Sequence, residues 1–179
     1  MNQIDDWSGE FSFLRNDFPV SILFDGITYP SVEHAFQAGK TFNQNIRENI
    51  ADAPTASIAK KIGKAITDIP DNWDSYRLEH MENILYQKFE APELAKQLED
   101  TGDKHIIMLN NSDTFWGMVI DEDDYRVGDN NLGKILMKIR SDRTNSRAHE
   151  IVNDISKLIE DFEKLYHEAK CIFNKIKNG

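Results

Sequence analysis

A chain of 179 residues with 40% hydrophobic side chains is long enough to bury a core without staples, and its regular apolar spacing excludes a disordered chain. Its formal charge of −10 at pH 7 repels a polyphosphate backbone and argues against strong binding to duplex nucleic acid. No apolar run approaches the length of a bilayer span and the first residues lack a signal core, so a cytosolic location without membrane contact is expected.

The first clear element lies at 20–29, where two short β-branched runs flank Asp25-Gly26. That dipeptide accepts the positive φ angles of a tight turn, so the spacing predicts a β-hairpin. Tyr29-Pro30 ends the second strand, and Ser31 is a natural N-cap that places Val32 and Glu33 in the first turn of a helix. Val32, Ala35, Phe36 and Gly39 share its inward face, and Glu33 and Gln37 lie together on another. A second helix is expected from about Asp52–Thr55, carrying Ile58, Ile62, Ala65 and Ile66, and a third after Ile69-Pro70, capped by Asp71 or Asn72, with Leu78, Met81, Leu85 and Phe89 as its buried stripe. Pro92 opens a short fourth helix and Gly102 is placed to close it. His105–Leu109 reads as a strand, followed by the polar loop Asn110–Thr114, Phe115-Trp116-Gly117, and a helix from about Asn131 to Arg140 that packs Leu132, Ile135, Leu136 and Ile139. The pattern is α+β, mainly helical and compact with a small β-sheet.

Beyond that domain, taken as residues 1–144, the C-terminal segment 145–179 is an amphipathic helix. Ile151, Ile155, Leu158, Phe162, Leu165, Ala169, Ile172 and Ile176 alternate spacings of four and three, a heptad seam. Such a helix either pairs with a second copy as a homodimer or folds back over the domain, and both arrangements stay open. Ser141–Ser146 reads as the joint.

The five histidines show no metal-ligand spacing, the single cysteine, Cys171, permits no intrachain disulfide, and phosphate-binding glycine loops and nucleophile elbows are missing. No cofactor and no metal is expected. The acidic run Asp121–Asp124 lacks the alternating ligands and glycine of a calcium loop and reads as a solvated loop. What remains is Glu33, Trp73, Asp113, Trp116 and Asn131 near element ends. Each has a structural explanation: Glu33 complements the helix dipole, the tryptophans pack, and Asp113 and Asn131 cap.

Taken as an ordered set the residues carry more. Phe13-Leu14-x-Asn16, Val32-Glu33-His34-x-Phe36-Gln37-Ala38-x-Lys40, Ala59-Lys60-x-x-Gly63-Lys64, Trp73, Met81, Lys88-Phe89, Thr101-Gly102-Asp103, Asp113-x-x-Trp116-Gly117, Asn131-Leu132-Gly133-Lys134, Leu136-Met137 and Arg140 follow one another. In this the chain resembles the NADAR family, the YbiA-like N-glycosidases, from about Phe11 to Arg140. The resemblance implies a compact domain that hydrolyses N-glycosidic bonds to ribose, on ADP-ribosylated guanine or on the phosphorylated ribosylamino-pyrimidines of riboflavin synthesis.

On that basis Glu33 is the catalytic carboxylate, stabilising an oxocarbenium-like transition state and deprotonating water. Asp113 orients the sugar or the water, Trp73 or Trp116 stacks on the base, Asn16 and Asn131 bond ribose hydroxyls, and Lys40 and Lys64 meet the phosphate. The chain also departs from the family. Arg15 and Asp17 stand where relatives commonly carry serine and phenylalanine, Met108 stands where a glutamate is expected, and Asp121–Asp129 is more acidic than the glycine-rich loop expected there. Met108 supports an alternative: a catalytically silent ADP-ribose or nucleotide sensor that signals through its C-terminal helix. A coiled-coil interaction protein, with the domain as scaffold, is a third reading that rests on the heptad seam alone.

Overall fold

A computed structural model of the chain describes residues 2–178, with side chains described as far as His167. Its elements run β1 (Gln3–Ile4), a 3-10 helix (Gly9–Leu14), β2 (Ile22–Phe24), β3 (Ile27–Tyr29), α1 (Val32–Ala38), α2 (Gln44–Ala51), α3 (Ala56–Lys64), α4 (Trp73–Lys88), α5 (Pro92–Glu99), β4 (His105–Ile106), β5 (Val119–Ile120), β6 (Arg126–Val127) and α6 (Asn131–Asn178). The fold is the mainly helical α+β arrangement expected. Its small sheet content is divided among two-stranded pairs: β1 with β4 in parallel, and the antiparallel hairpins β2-β3 and β5-β6. No helix among the described residues is long and apolar enough to cross a membrane.

The chain forms two compact units, residues 1–140 and 141–179. In the first, α1 is the central element: apart from Glu33, all of its residues are buried. The hairpin that leads into it turns on Asp25 and Gly26, both at positive φ (49° and 78°), and pairs Ile22 with Tyr29 and Phe24 with Ile27. Helix α4 contributes Met81, Ile84 and Leu85 to the core, α5 contributes Leu98, and the start of α6 contributes Leu132, Leu136 and Ile139.

Four sequence expectations are corrected. Helix α2 escapes the apolar pattern because its buried face is Arg47 and Ile50. Arg47 donates from Nε to the Ala38 and Thr41 carbonyls (3.3 and 2.7 Å) and pairs with Asp25, tying α2 to the C-terminal end of α1 and to the hairpin. In α3 the buried face is the small pair Ala59 and Gly63, which lets α1 approach closely, while Ile58 is exposed and Ile66 lies beyond the helix end. On α4, Leu78 is exposed and His80 is buried instead.

The strand expected at His105–Leu109 stops at Ile106 because the amide of Asn130 replaces a neighbouring strand. It donates to the Ile106 carbonyl (2.9 Å) and accepts from the Met108 N–H (3.0 Å). The joint expected at Ser141–Ser146 is helical. That segment holds no proline or glycine, and the Ser146 hydroxyl returns to the Asp142 carbonyl (2.9 Å), so its polar side chain is satisfied within the helix. The last heptad positions, Ala169, Ile172 and Ile176, and Cys171 have side chains outside the described residues.

Candidate active site

The position of Glu33 follows from the cap of α1. Ser31 accepts the His34 N–H through Oγ (3.4 Å), and the His34 ring completes the cap. Burial holds that imidazole below its ordinary pKa, in the neutral form. Its Nε2–H donates to the Ala53 carbonyl (3.2 Å), which leaves Nδ1 to accept the Ser31 hydroxyl proton (2.7 Å). The helix start is thereby fixed to the connection between α2 and α3.

Glu33 donates its backbone N–H to the Asn16 carbonyl (2.8 Å), which holds Asn16 beside it. Gln37, one turn on, donates from Nε2 to Glu33 Oε1 (2.7 Å). No other hydrogen bond engages this carboxylate among the described residues, so Oε2 remains for whatever occupies the adjoining cleft. Gln37 itself lies against Gly63 of α3, where any Cβ would come within 1.9 Å of Gln37 Oε1.

Glu33 lines a cleft of about 540 Å³. Its walls come from Asp5–Ser8, Arg15–Asp17, the first turn of α3 with Ala56, Ser57 and Lys60, and from Met108, Leu109 and Leu132. Two buried polar atoms of cleft residues have no protein partner, Asn16 Oδ1 and Trp7 Nε1. An acceptor and a donor left so cost roughly 1 to 3 kcal/mol each, and the same holds for Tyr29 Oη and Gln37 Oε1 outside the cleft lining.

The rim is set by Arg15, whose guanidinium forks onto Asp17 (2.8 and 2.6 Å) and holds that carboxyl below its usual pKa. Beneath it, fully buried Lys88 donates to the Arg15 carbonyl (2.7 Å), with its Nζ 5.6 Å from the Phe18 ring centroid. Burial lowers the Lys88 pKa to about 7.

Of the residues singled out from sequence, the cleft gathers Glu33 and Asn16. Lys40 stands close by, over the Phe36 ring, its pKa lowered chiefly by burial, raised by Glu33 and lowered again by Lys60 and Lys64. Lys64 is exposed at the end of α3. Trp73 and Trp116 flank Phe36, at 5.3 and 5.4 Å between ring centroids. Trp73 is buried there and walls a separate cavity of about 350 Å³ with Tyr76 and Phe42.

Asp113 Oδ1 accepts the Phe115 and Trp116 N–H groups (3.0 and 2.8 Å), and Asn131 donates to the Phe115 carbonyl (2.8 Å). The free N–H groups at the start of α6 extend this: those of Asn131 and Leu132 reach the carbonyls of Phe115 and Trp116. Gly117 is required where this loop crosses the chain, since a Cβ would lie 2.2 Å from the Met108 carbonyl oxygen.

Trp7, Lys60 and Asn130 were not singled out from sequence. Trp7 lies outside any periodic element, so nothing flags it. Asn130 has positive φ (51°), a conformation that asparagine tolerates, but its bonds are long-range. Lys60 belongs to the Ala59–Lys64 block and was legible there.

The model of the NADAR domain matches residues 3–142. The chain belongs to the NADAR family. It is 33% identical over 145 residues to a riboflavin biosynthesis protein of Vibrio vulnificus, covering 80% of this chain and 38% of that protein, and so spans well under half of that relative's length. It is 31% identical over 135 residues to the N-glycosidase YbiA of Escherichia coli, covering 74% of this chain and 82% of the relative. An N-glycosidase of Nostoc punctiforme is 28% identical over 140 residues, covering 75% and 87%. The solved structure of Escherichia coli YbiA superposes with a TM-score of 0.69 at 26% identity, covering 82% of this chain and 86% of that one. The family is thus one with members named as N-glycosidases.

Proposed function

We propose that this protein hydrolyses the N-glycosidic bond between ribose and a base, on an ADP-ribosylated guanine or a phosphorylated ribosylamino-pyrimidine. The observation that carries the reading is Glu33 in the cleft, one oxygen held by Gln37 and the buried, unpartnered Asn16 Oδ1 beside it. As the C–N bond breaks, positive charge grows on the sugar, and a fixed carboxylate stabilises that charge more than it stabilises the neutral substrate. The same group takes a proton from the attacking water. Asn16 Oδ1 suits a ribose hydroxyl, and the first turn of α3 with Lys60, close to Lys40 and Lys64, suits a phosphate.

Trp116 and Trp73 hold Phe36 and with it the helix that presents Glu33. Asp113 and Asn131 act through the loop they cap, which places Met108 and Leu132 in the cleft. In this reading these four residues position the site, and Trp7 supplies the indole nearest the substrate.

The sensor reading is favoured by Met108, an apolar side chain lining the cleft where a carboxylate is expected. One assay separates the two. The full chain is incubated with ADP-ribosyl-guanine and, separately, with the ribosylamino-pyrimidine phosphate, and released base is followed for wild type and Glu33→Gln. Release by the wild type that falls about 10²- to 10⁴-fold in the variant supports the hydrolase. Binding without release in both refutes it in favour of the sensor.

A further inference from the structure

The cavity of about 350 Å³ beside Trp73 shares no lining residue with the cleft. It opens at the other end of α1, where Gly39 lines it, about 9 Å along the helix axis from Glu33. Phe24, Phe42, Trp73 and Tyr76 supply its aromatic walls. Three of these rings are held from behind by buried His80, whose centroid lies 4.5 Å from Phe24, 6.0 Å from Trp73 and 5.6 Å from Tyr76. The walls are therefore fixed before anything enters. Phe42, on the remaining side, is 79% exposed, an aromatic face left in water at the opening.

Charge narrows the class of ligand. The Arg47 guanidinium lies 5.1 and 5.7 Å from the Phe24 and Phe42 ring centroids and pairs with Asp25, which also lines the cavity. Asp25 repels an anion, and Arg47 repels the quaternary ammonium group that an aromatic cage alone would hold. An uncharged flat ring meets neither penalty and stacks on any of the walls. The volume is at the small end for ligand pockets, enough for a fused ring pair and too small for a dinucleotide.

The edge of such a ring finds a reader in Asn72. This residue is the N-cap of α4 and lines the cavity, yet its side chain makes no capping bond. Its carboxamide keeps a donor and an acceptor side by side, the pair that adenine matches with its N6 amino group and N7.

We propose that this cavity is a second binding site, for an uncharged purine ring of the adenine type, stacked on Phe42 with its edge on Asn72. It is separate from the cleft and does not depend on hydrolysis there.

Isothermal titration calorimetry of the full chain with adenine tests this, with benzenesulfonate and benzyltrimethylammonium as the anionic and cationic comparisons. One adenine per chain is expected at submillimolar concentration, bound equally by wild type and Glu33→Gln. Phe42→Ala is expected to weaken binding at least about fivefold, and Asn72→Ala to weaken it in the same direction. Both side chains are exposed, so an unchanged melting temperature is expected of each variant. No adenine binding at millimolar concentration overturns the proposal, as does binding that Phe42→Ala leaves unchanged. Binding lost in Glu33→Gln overturns it by placing the ring in the cleft, and tighter binding of either charged probe overturns the assignment of ligand class.

Discussion

Gly63→Ala sets a rule of helix propensity against the tertiary structure. Gly63 lies inside α3 with no left-handed φ, so propensity alone predicts a gain of about 1 kcal/mol for alanine. The packing predicts the opposite. The new methyl would lie 1.9, 2.7 and 2.9 Å from Oε1, Cδ and Cβ of Gln37, a side chain only 3% exposed with nowhere to withdraw. Overpacking costs about 1 to 3 kcal/mol, and loss of the bond from Gln37 to the Glu33 carboxylate about 1.5 to 3.

Set against the propensity gain, the variant is expected to lose about 2 kcal/mol, a fall in Tm of about 4 to 8 °C for a chain of this size. Because Glu33 Oε1 is released, base release falls as well, by about ten- to a hundredfold. Thermal melts of Gly63→Ala, Gln37→Ala and the double variant isolate the cause. With the amide removed, only the 2.9 Å approach to Cβ remains, and the two changes should couple by about 2 kcal/mol. A Gly63→Ala protein with a raised Tm and unchanged base release would refute the reasoning.

Two further expectations follow from the same packing. Lys88 titrates near 7 in the fold against an ordinary value of 10.5, so between these values the unfolded chain binds the extra proton. Stability therefore rises with pH through that window. Urea unfolding at pH 6.5 and pH 9 should show this rise in the wild type and a flatter profile in Lys88→Met; equal slopes would exclude Lys88 as its source. Asn16→Ala removes a buried acceptor that lacks a protein partner, so its stability should stay within about 1 kcal/mol of the wild type while base release falls at least about tenfold. Full activity together with a large loss of stability would assign Asn16 to the core.

How legible each part was depended on the range of the interaction. The hairpin at Asp25-Gly26 and the Ser31 cap were readable because one residue's φ or one side-chain oxygen settles them. The Glu33–Gln37 pair was readable because helix geometry alone brings positions four apart together. Helix α2 was not, because its buried face is a charged arginine whose partners, Ala38, Thr41 and Asp25, lie elsewhere in the chain. The strand after His105 was overextended because periodicity cannot foresee that the Asn130 amide would take a strand's place.

The ordered blocks from Phe13 to Arg140 determined the family and marked Glu33, and the apolar spacing determined that residues 151–167 would present one hydrophobic face. Only the tertiary structure decided which residues share the cleft. Trp7 and Asn16, Lys60, and Met108 come from three distant parts of the chain, and their meeting depends on buried hydrogen bonds and a close helix approach at Gly63 that local propensity does not encode. Sequence pattern reports each element's own preference for burial. The site is made where several elements satisfy that preference against one another, and its geometry belongs to their packing.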